Sequence, residues 1–145
     1  FFLARRKDLN LPLIKLNFNE PVVTLREALK GAPSHKAKTL SPKALEHWKN
    51  TTPGESFSKA AKGRWFTWRR LSWGKPAPTV VSGSPPCHPD QPRWLSNGET
   101  IRVQSFPDDY NFNNIEANYV CGMSVPPFMT QRVASQIAKQ WFGVD

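Results

Sequence analysis

Apolar side chains recur every four residues near the C-terminus, at Val125, Met129, Val133, Ile137 and Trp141. Because residues i and i+4 share one face of an α-helix, this spacing predicts a final amphipathic helix, opened by the Pro-Pro pair at 126–127. A stripe of about four turns needs a surface to cover it. The earlier residues offer few long apolar elements, so the pattern predicts a partner for this helix.

Three further helices are predicted from their first residues. The segment 24–27 (Thr-Leu-Arg-Glu) and the segment 96–99 (Ser-Asn-Gly-Glu) are capping boxes, in which the first hydroxyl and the later carboxylate satisfy each other's backbone amides. Ser41 followed by Pro42 is typical of a helix start as well. We expect short helices after each of these points.

Two aromatic and β-branched segments, 65–71 and 79–82, predict β-strands separated by a turn at 74–78. Residues 1–6 resemble the end of a buried strand that runs into a basic turn. The Thr, Pro, Gly, Ser and Lys residues of 50–63 are typical of a loop. The expected fold class is α+β, a small irregular domain with short strands and a few helices.

Composition excludes several classes of protein. No apolar run approaches the roughly 18 residues of a membrane span, and residues 1–4 are too short for the apolar core of a signal peptide, so we expect a soluble protein. Cys87 and Cys121 are too few for a disulfide framework and lack the paired spacing of a zinc site. A reducing compartment is expected, and no metal site is predicted.

Positive charge is concentrated in the first half of the chain. Residues 1–75 contain 16 Lys and Arg against 5 Asp and Glu, whereas residues 76–145 contain 4 against 6. Four tryptophans lie within the basic half, and a basic surface carrying aromatic rings is typical of a protein that binds phosphates. A solvated basic face beside ordinary core tryptophans explains the same pattern.

Several stretches resemble the C-terminal end of cytosine-5 DNA methyltransferases. Arg93-Trp94-Leu95-Ser96, followed by Glu99, Arg102 and the run 104–110 (Gln-Ser-Phe-Pro-Asp-Asp-Tyr), resembles the ninth motif of that family. The tenth motif of the family is resembled by Tyr119, Gly122 and the run 124–127 (Ser-Val-Pro-Pro). Residues 1–7 are similar to the strand leaving the eighth motif, and residues 76–80 to a Pro-x-x-Thr segment of the target-recognition domain. Residues 10–65 match loosely.

The resemblance implies a division of the chain. Residues 1–9 would end a catalytic-domain strand, 10–92 would form the target-recognition domain, 93–112 the ninth-motif helix and turn, and 113–145 the tenth motif and a helix packing on a missing Rossmann-like catalytic domain. The intact enzyme would bind double-stranded DNA, flip a cytosine and transfer a methyl group from S-adenosylmethionine to its C5. It would act in the cytoplasm, as a bacterial or phage enzyme.

Candidate site residues fall into three groups. Residues suited to phosphates or base edges are Arg5, Arg6, Lys62, Arg64, Arg69, Arg70, Ser72, Lys75 and Thr79. The resemblance implies cofactor contact at Gly122, Ser124 and Val125, with Met123 where the family has an asparagine. It implies a structural brace from Arg93, Glu99, Arg102, Gln104, Phe106 and Pro107, with Arg102 paired to a carboxylate or to carbonyls, and Asp108 or Asp109 accepting amides.

No catalytic residue is expected within the chain. In that family the glycine-rich cofactor loop, the Pro-Cys nucleophile and the Glu-Asn-Val segment all precede the eighth motif, whereas the resemblance here starts at the end of that motif. The Cys87-His88 dipeptide offers a thiol beside an imidazole, but its place in the motif order is wrong for the nucleophile. Cys121 is expected to be a buried small residue.

Three hypotheses about function remain. The chain is a truncated piece of one larger methyltransferase, a recognition subunit that docks on a separate catalytic chain, or an autonomous DNA-binding module without methylation. The apolar stripe between 125 and 141 separates them, because the first two hypotheses require a partner that covers it.

Overall fold

The computed structural model describes residues 1–144, which form two compact units. The first unit combines residues 1–21 with residues 127–144, and the second comprises Val22–Pro126. The predicted division at 9, 92 and 112 concerns roles in a longer enzyme and stays a prediction.

Helices dominate the regular structure. Within the described residues these are α1 (Leu25–Ala28), α2 (Pro42–Lys49), α3 (Asn97–Val103), α4 (Ala117–Met123) and α5 (Pro127–Ile137). A 3₁₀ turn covers Lys7–Leu9, and a π-helical segment, Ala138–Phe142, follows α5.

The predicted helix starts are confirmed. Thr24 and Glu27 form a complete capping box at α1, and Ser96 and Glu99 form a second one at α3. The Ser41 hydroxyl accepts the amide of Ala44 at the start of α2. The last helix is confirmed from residue 127 onward, while Val125 precedes it.

The predicted strands at 65–71 and 79–82 are wrong. In the described residues these segments contain isolated bridges, which link Ser56 to Arg69, Arg70 to Cys87 and Val81 to Ser84. Trp65 has a φ of +56°, and the Trp68 amide bonds back to the Trp65 carbonyl, so the chain turns where an extended strand was expected. The expected fold class therefore holds for the helices, with little strand in residues 1–144.

The buried strand expected at the N-terminus is also wrong for this structure. Residues 1–6 are exposed and form no strand. A strand needs a neighbour to pair its backbone groups, and residues 1–144 supply none for this segment.

Two apolar clusters form the core of the second unit. One is built from Leu40, Ala44, Phe57 and Cys87, with tryptophan side chains packed around them. The other joins Leu25, Leu71 and Leu95. These clusters hold the segments around residues 54–57, 69–71, 86–88 and 93–95 side by side, which positions the candidate site.

The first unit is held together along its helix. Gln140 in the π-helical segment bonds both the amide and the carbonyl of Lys15, at 2.9 and 2.8 Å, and the Trp141 indole N–H donates to the Pro12 carbonyl at 2.9 Å. The N-terminal segment thus runs along the C-terminal helix. No helix in the described part of the chain is long and apolar enough to cross a membrane.

Candidate nucleic-acid interface

A cluster of aromatic rings supports the basic segment 62–70. The Trp65 and Trp68 ring centroids are 4.3 Å apart, and the Trp68 and Trp94 centroids are 4.8 Å apart, with both pairs edge to face. Phe57 is fully buried beside Trp68. Such aromatic contacts stabilise the backbone that carries the neighbouring cationic side chains.

Arg70 is half-buried and bonded within the second unit. Its guanidinium lies 3.8 Å from the Trp48 ring centroid and donates to the carbonyls of Pro89 and Thr51, at 2.8 and 3.1 Å. The Trp48 indole in turn donates to the His88 carbonyl at 3.1 Å. Its Nη1 also donates to the Trp48 carbonyl at 3.4 Å, so two of the five guanidinium donors remain for other partners and this predicted DNA contact lies in a structural position.

Three cations of the same segment project outward. Lys62, Arg64 and Arg69 are exposed, and none makes an ion pair or side-chain hydrogen bond within residues 1–144. Lys62 and Arg64 line a cavity of about 330 Å³ together with Lys43, His47, Ala60, Ala61 and Trp65. Since no carboxylate lines it, this hollow is suited to an anion.

A smaller hollow brings the candidate base-reading residues together. Arg69, Ser72 and Lys75 line a cavity of about 190 Å³, which Gly54 and Arg70 line as well. A Cβ built on Gly54 would lie 3.4 Å from the Lys75 Nζ. Thr79 is exposed and lies outside that lining. Hydroxyl, ammonium and guanidinium donors in one groove can bond to acceptors on base edges.

Arg5 and Arg6 lie in the other unit of the chain. Arg5 donates to the Leu11 carbonyl, and Arg6 pairs with Asp8 at 2.6 Å. Both arginines are exposed. The structure therefore gives both arginines local partners within the first unit.

The stretch resembling the ninth motif is organised around a buried ion pair. Arg93 donates to both carboxylate oxygens of Glu99, at 2.6 and 2.8 Å, and the two side chains are 13% and 5% exposed. Burial acts to raise the pKa of Glu99, but hydrogen bonds from Arg93 and from the Ser96 amide outweigh it and hold that pKa below its ordinary value. The pair fixes α3 against the segment that precedes it.

The end of α3 is held by a second ion pair and an aromatic group. Arg102 donates to Asp108 and to the Lys30 carbonyl, which is the pairing that the sequence predicted, although its side chain is 30% exposed. The Arg102 guanidinium holds the pKa of Asp108 below its ordinary value. Asp108 accepts this guanidinium where backbone amides were expected.

The Phe-Pro stop after α3 closes a small turn. The Phe106 ring contacts those of Tyr110 and Phe112, at 5.0 and 5.5 Å between centroids, and the Tyr110 amide bonds to the Pro107 carbonyl. Gln104 is buried and donates to the Cys121 carbonyl at 3.0 Å. That bond ties α3 to α4.

The tenth-motif residues lie at the end of α4. A Cβ built on Gly122 would come within 2.1 Å of the Ser82 amide nitrogen, so two backbones touch here and no side chain fits. The Ser124 hydroxyl donates to the Val120 carbonyl at 2.6 Å, and Val125 is 52% exposed. One face of Gly122 and the hydroxyl of Ser124 are thus occupied, and cofactor contact at Gly122, Ser124 and Val125 stays a prediction.

Both cysteines are buried and free. Burial raises the pKa of the Cys87 thiol far above its usual range, and burial raises the pKa of Cys121 to about 11. The neighbouring His88 accepts two backbone amides, from Asp90 and Gln91, through Nδ1, so its imidazole is not a base for Cys87. This geometry supports the exclusion of Cys87 as a nucleophile.

Four residues of these sites were missed by the sequence predictions. Lys43 and His47 lie on α2, and their side chains meet Trp65 at 5.5 and 4.8 Å. Gly54 borders the smaller hollow, and a Cβ on Gly98 would come within 2.6 Å of the Pro33 carbonyl. The two residues on α2 are one turn apart, a spacing that marks a shared face; no sequence signal marks the glycines' close approaches.

Comparison with known proteins identifies relatives over nearly the whole chain. The model of the family described as C-5 cytosine-specific DNA methylase matches residues 7–139. M.MJ0563P of Methanocaldococcus jannaschii, whose name assigns it to the type II methyltransferases, is 34% identical over 130 residues, which cover 83% of this chain and 42% of that protein. The type II methyltransferase M.MthTI of Methanothermobacter thermautotrophicus is 29% identical, over 99% of this chain and 52% of its own length.

A third relative is short. The type II methyltransferase M.AquIB of Picosynechococcus sp. is 28% identical over 126 residues, which cover 77% of this chain and 91% of that protein. By contrast, this chain spans about half or less of the length of the first two relatives. No solved structure matches. The match of the family model to residues 7–139 shows that the chain belongs to the C-5 cytosine-specific DNA methylases.

Proposed function

We propose that this chain is the DNA-recognition and C-terminal portion of a DNA (cytosine-5-)-methyltransferase. It grips double-stranded DNA and reads its sequence, while a catalytic part outside the chain supplies the attacking thiolate and most of the S-adenosylmethionine site. Family membership and the length of the first two relatives support this assignment. Both cysteines here are buried and protonated, which suits a portion without chemistry of its own.

The observation that carries the proposal is the set of outward-facing cations on the aromatic cluster. Lys62, Arg64 and Arg69 neutralise no carboxylate of residues 1–144, so they are available to phosphates. Arg69, Ser72 and Lys75 share a groove and would read base edges. We propose additional DNA contacts at Thr79, Arg5 and Arg6, which lie outside this groove.

Arg70 would act as a positioning residue in this scheme. Its guanidinium stacks on Trp48 and bonds carbonyls of two neighbouring loops. The backbone between Arg69 and Ser72 is also fixed on both sides, by hydrogen bonds to Glu55 and Cys87. Together these contacts would restrict the positions of the Arg69 and Ser72 side chains.

The ninth-motif stretch would act as a brace. Through Arg93, Glu99 and the Gln104 bond to α4, it locks the recognition surface to the tenth-motif helix. Such a brace keeps the orientation between DNA reading and cofactor binding constant. Gly122, Ser124 and Val125 would border the cofactor, with Val125 offering a side chain that is 52% exposed.

The first unit would be the joint to the catalytic part. Many of its apolar side chains are at least 40% exposed: Phe1, Phe2, Leu3, Leu9, Leu13, Leu16, Phe18, Phe128, Met129, Phe142 and Val144. An apolar surface of this extent usually marks a protein interface. A Rossmann-like catalytic domain is the partner that the family implies.

A second candidate is a natural recognition subunit that docks on a separate catalytic chain. The short relative M.AquIB, aligned over 91% of its length, favours this alternative because it is about the size of this chain. Both candidates make the same prediction for the isolated chain.

Complementation tests the proposal. The chain with S-adenosylmethionine and genomic duplex DNA is expected to transfer no methyl group, and co-expression with the catalytic part encoded in the same genome is expected to give methylated cytosine. A chain that methylates alone would refute the division of labour. A chain that binds DNA yet gains no activity or contact from the catalytic part would support an autonomous module in its place.

A further inference from the structure

Phe66 differs from the aromatic residues around it. Trp65 before it and Trp68 after it pack on the cluster formed by Leu40, Ala44, Phe57 and Cys87. Phe66 is 70% exposed, and its ring meets no other ring among the described residues. One ring of three is thus directed into solvent at the centre of the basic segment.

The backbone holds Phe66 in that position. Its carbonyl accepts a hydrogen bond from the Ser56 hydroxyl at 2.9 Å, and the Thr67 hydroxyl bonds that of Ser84 at 3.1 Å. Trp65 has a φ of +56°, a conformation that a bulky residue adopts at a cost. The turn is therefore fixed on both sides of Phe66.

The surroundings select an anionic partner. Arg64 and Arg69, two and three residues from Phe66, are exposed and make no ion pair within residues 1–144. The cavity of about 330 Å³ beside Trp65 is lined by two lysines, an arginine and a histidine but by no carboxylate. A flat apolar ring between cations is complementary to stacked bases between phosphates.

We propose that Phe66 is a wedge that enters duplex DNA and stacks on a base, while Arg64 and Arg69 hold the phosphates on either side. The inference rests on the DNA-recognition function proposed above and adds a residue that contacts bases through their faces. Sequence-reading through base edges remains with the groove formed by Arg69, Ser72 and Lys75.

Binding to duplexes that differ in stacking tests the wedge. The intact chain is titrated into a mixed-sequence duplex and into the same duplex with one abasic site, where entry of a side chain disturbs less stacking. The wild type is expected to bind the abasic duplex several-fold more tightly, and Phe66→Ala is expected to abolish that preference and to weaken binding roughly tenfold. Phe66→Trp should keep the preference. The matched control is Phe142→Ala, which removes an equally exposed ring, 71% against 70%, in the other unit.

The outcomes separate the wedge from the function on which it rests. If F66A binds both duplexes as the wild type does, the wedge is refuted, while DNA recognition stands. If F66A leaves DNA binding intact but weakens association with the catalytic part, Phe66 is a protein contact and the proposal is overturned. Absence of salt-dependent DNA binding by the wild-type chain would overturn both the wedge and the proposed function.

Discussion

Arg93 and Glu99 form a bidentate ion pair that is nearly closed to water, with side chains 13% and 5% exposed. Removing one partner of such a pair leaves an uncompensated buried charge, which costs far more than the pair itself contributes. Arg6 and Asp8, by comparison, pair on the surface with side chains 76% and 59% exposed. Burial therefore decides which charged residues of this chain matter for stability.

Glu99→Gln is expected to lower the free energy of unfolding by about 3 kcal/mol, because Arg93 loses its buried counter-ion. The Gln side chain keeps the shape of the site, so the loss reports the charge. Urea denaturation followed by tryptophan fluorescence measures it. The control Glu55→Gln breaks the exposed pair with Lys59 and is expected to leave the free energy unchanged. Equal losses in both variants would contradict the structural role of Glu99.

His88 gives the chain a sensitivity to mild acid. Burial and the nearby Arg93 lower the pKa of His88, although Glu99 and Asp90 oppose them, and its Nδ1 accepts two backbone amides that an imidazolium could not accept. In the window from the folded pKa up to the ordinary value of 6.5, the unfolded chain binds the extra proton. The stability contributed by the neutral His88 is thus fully present above pH 6.5 and is lost as the pH falls below that value.

We expect the urea midpoint of the wild type to drop between pH 7.5 and 5.5, and the drop to shrink in His88→Asn. The Asn carbonyl can accept an amide as Nδ1 does, yet it does not titrate in this range. Glu99 does not contribute here, because its pKa is lowered from 4.5. An identical acid loss in H88N would assign the effect to other groups.

Gly122→Ala tests the contact between α4 and the segment at Ser82. A methyl group would lie 2.1 Å from the Ser82 nitrogen, so we expect a loss of about 2 kcal/mol or more even though alanine favours a helix over glycine by about 1 kcal/mol. Gly74→Ala, where nothing lies within 4 Å, is the matched control and should change little. Thermal unfolding compares the two, and a stabilised G122A would refute the close approach.

At the scale of elements, the caps were predictable and the strands were not. A capping box is written in four consecutive residues, so Thr24–Glu27 and Ser96–Glu99 determine their helix starts locally. The segment 65–71 has strand-like residues, but its backbone forms only isolated bonds to partners near residues 55 and 87. A positive φ at Trp65 also interrupts the extended conformation. Those constraints are tertiary, and the sequence pattern does not contain them.

The cap of α3 is expected to matter more than that of α2. Ser96 is 2% exposed, accepts the Glu99 amide and donates to the Pro33 carbonyl at 2.7 Å, whereas the exposed Ser41 caps the Ala44 amide alone. Ser96→Ala should cost about 2 kcal/mol and Ser41→Ala about 1 kcal/mol in the free energy of unfolding. Guanidinium denaturation measures both losses, and a larger loss for Ser41→Ala than for Ser96→Ala would contradict the anchoring of α3 at Pro33.

At the scale of the whole molecule, motif order in the sequence was sufficient to predict the family, which the match over residues 7–139 confirms. The candidate site was predictable in part. The charge distribution indicated residues 1–75 as the basic half, and the candidates included Arg64, Arg69 and Arg70. Only the structure separates the half-buried, internally bonded Arg70 from the exposed Arg64 and Arg69. Lys43 and His47 join the site through folding from a helix some twenty residues earlier.

The central claim, that the basic segment 62–70 grips DNA phosphates, is tested most directly by the salt dependence of binding. The affinity of the intact chain for duplex DNA should fall steeply and linearly on a log–log plot as KCl rises, and Arg64→Ala should reduce the slope by about one, as expected for one lost phosphate contact. Arg132→Ala, which removes a cation paired with Glu20 in the other unit, should leave the slope unchanged. An affinity that is equal at low and moderate salt, or a slope indifferent to Arg64, would contradict the account.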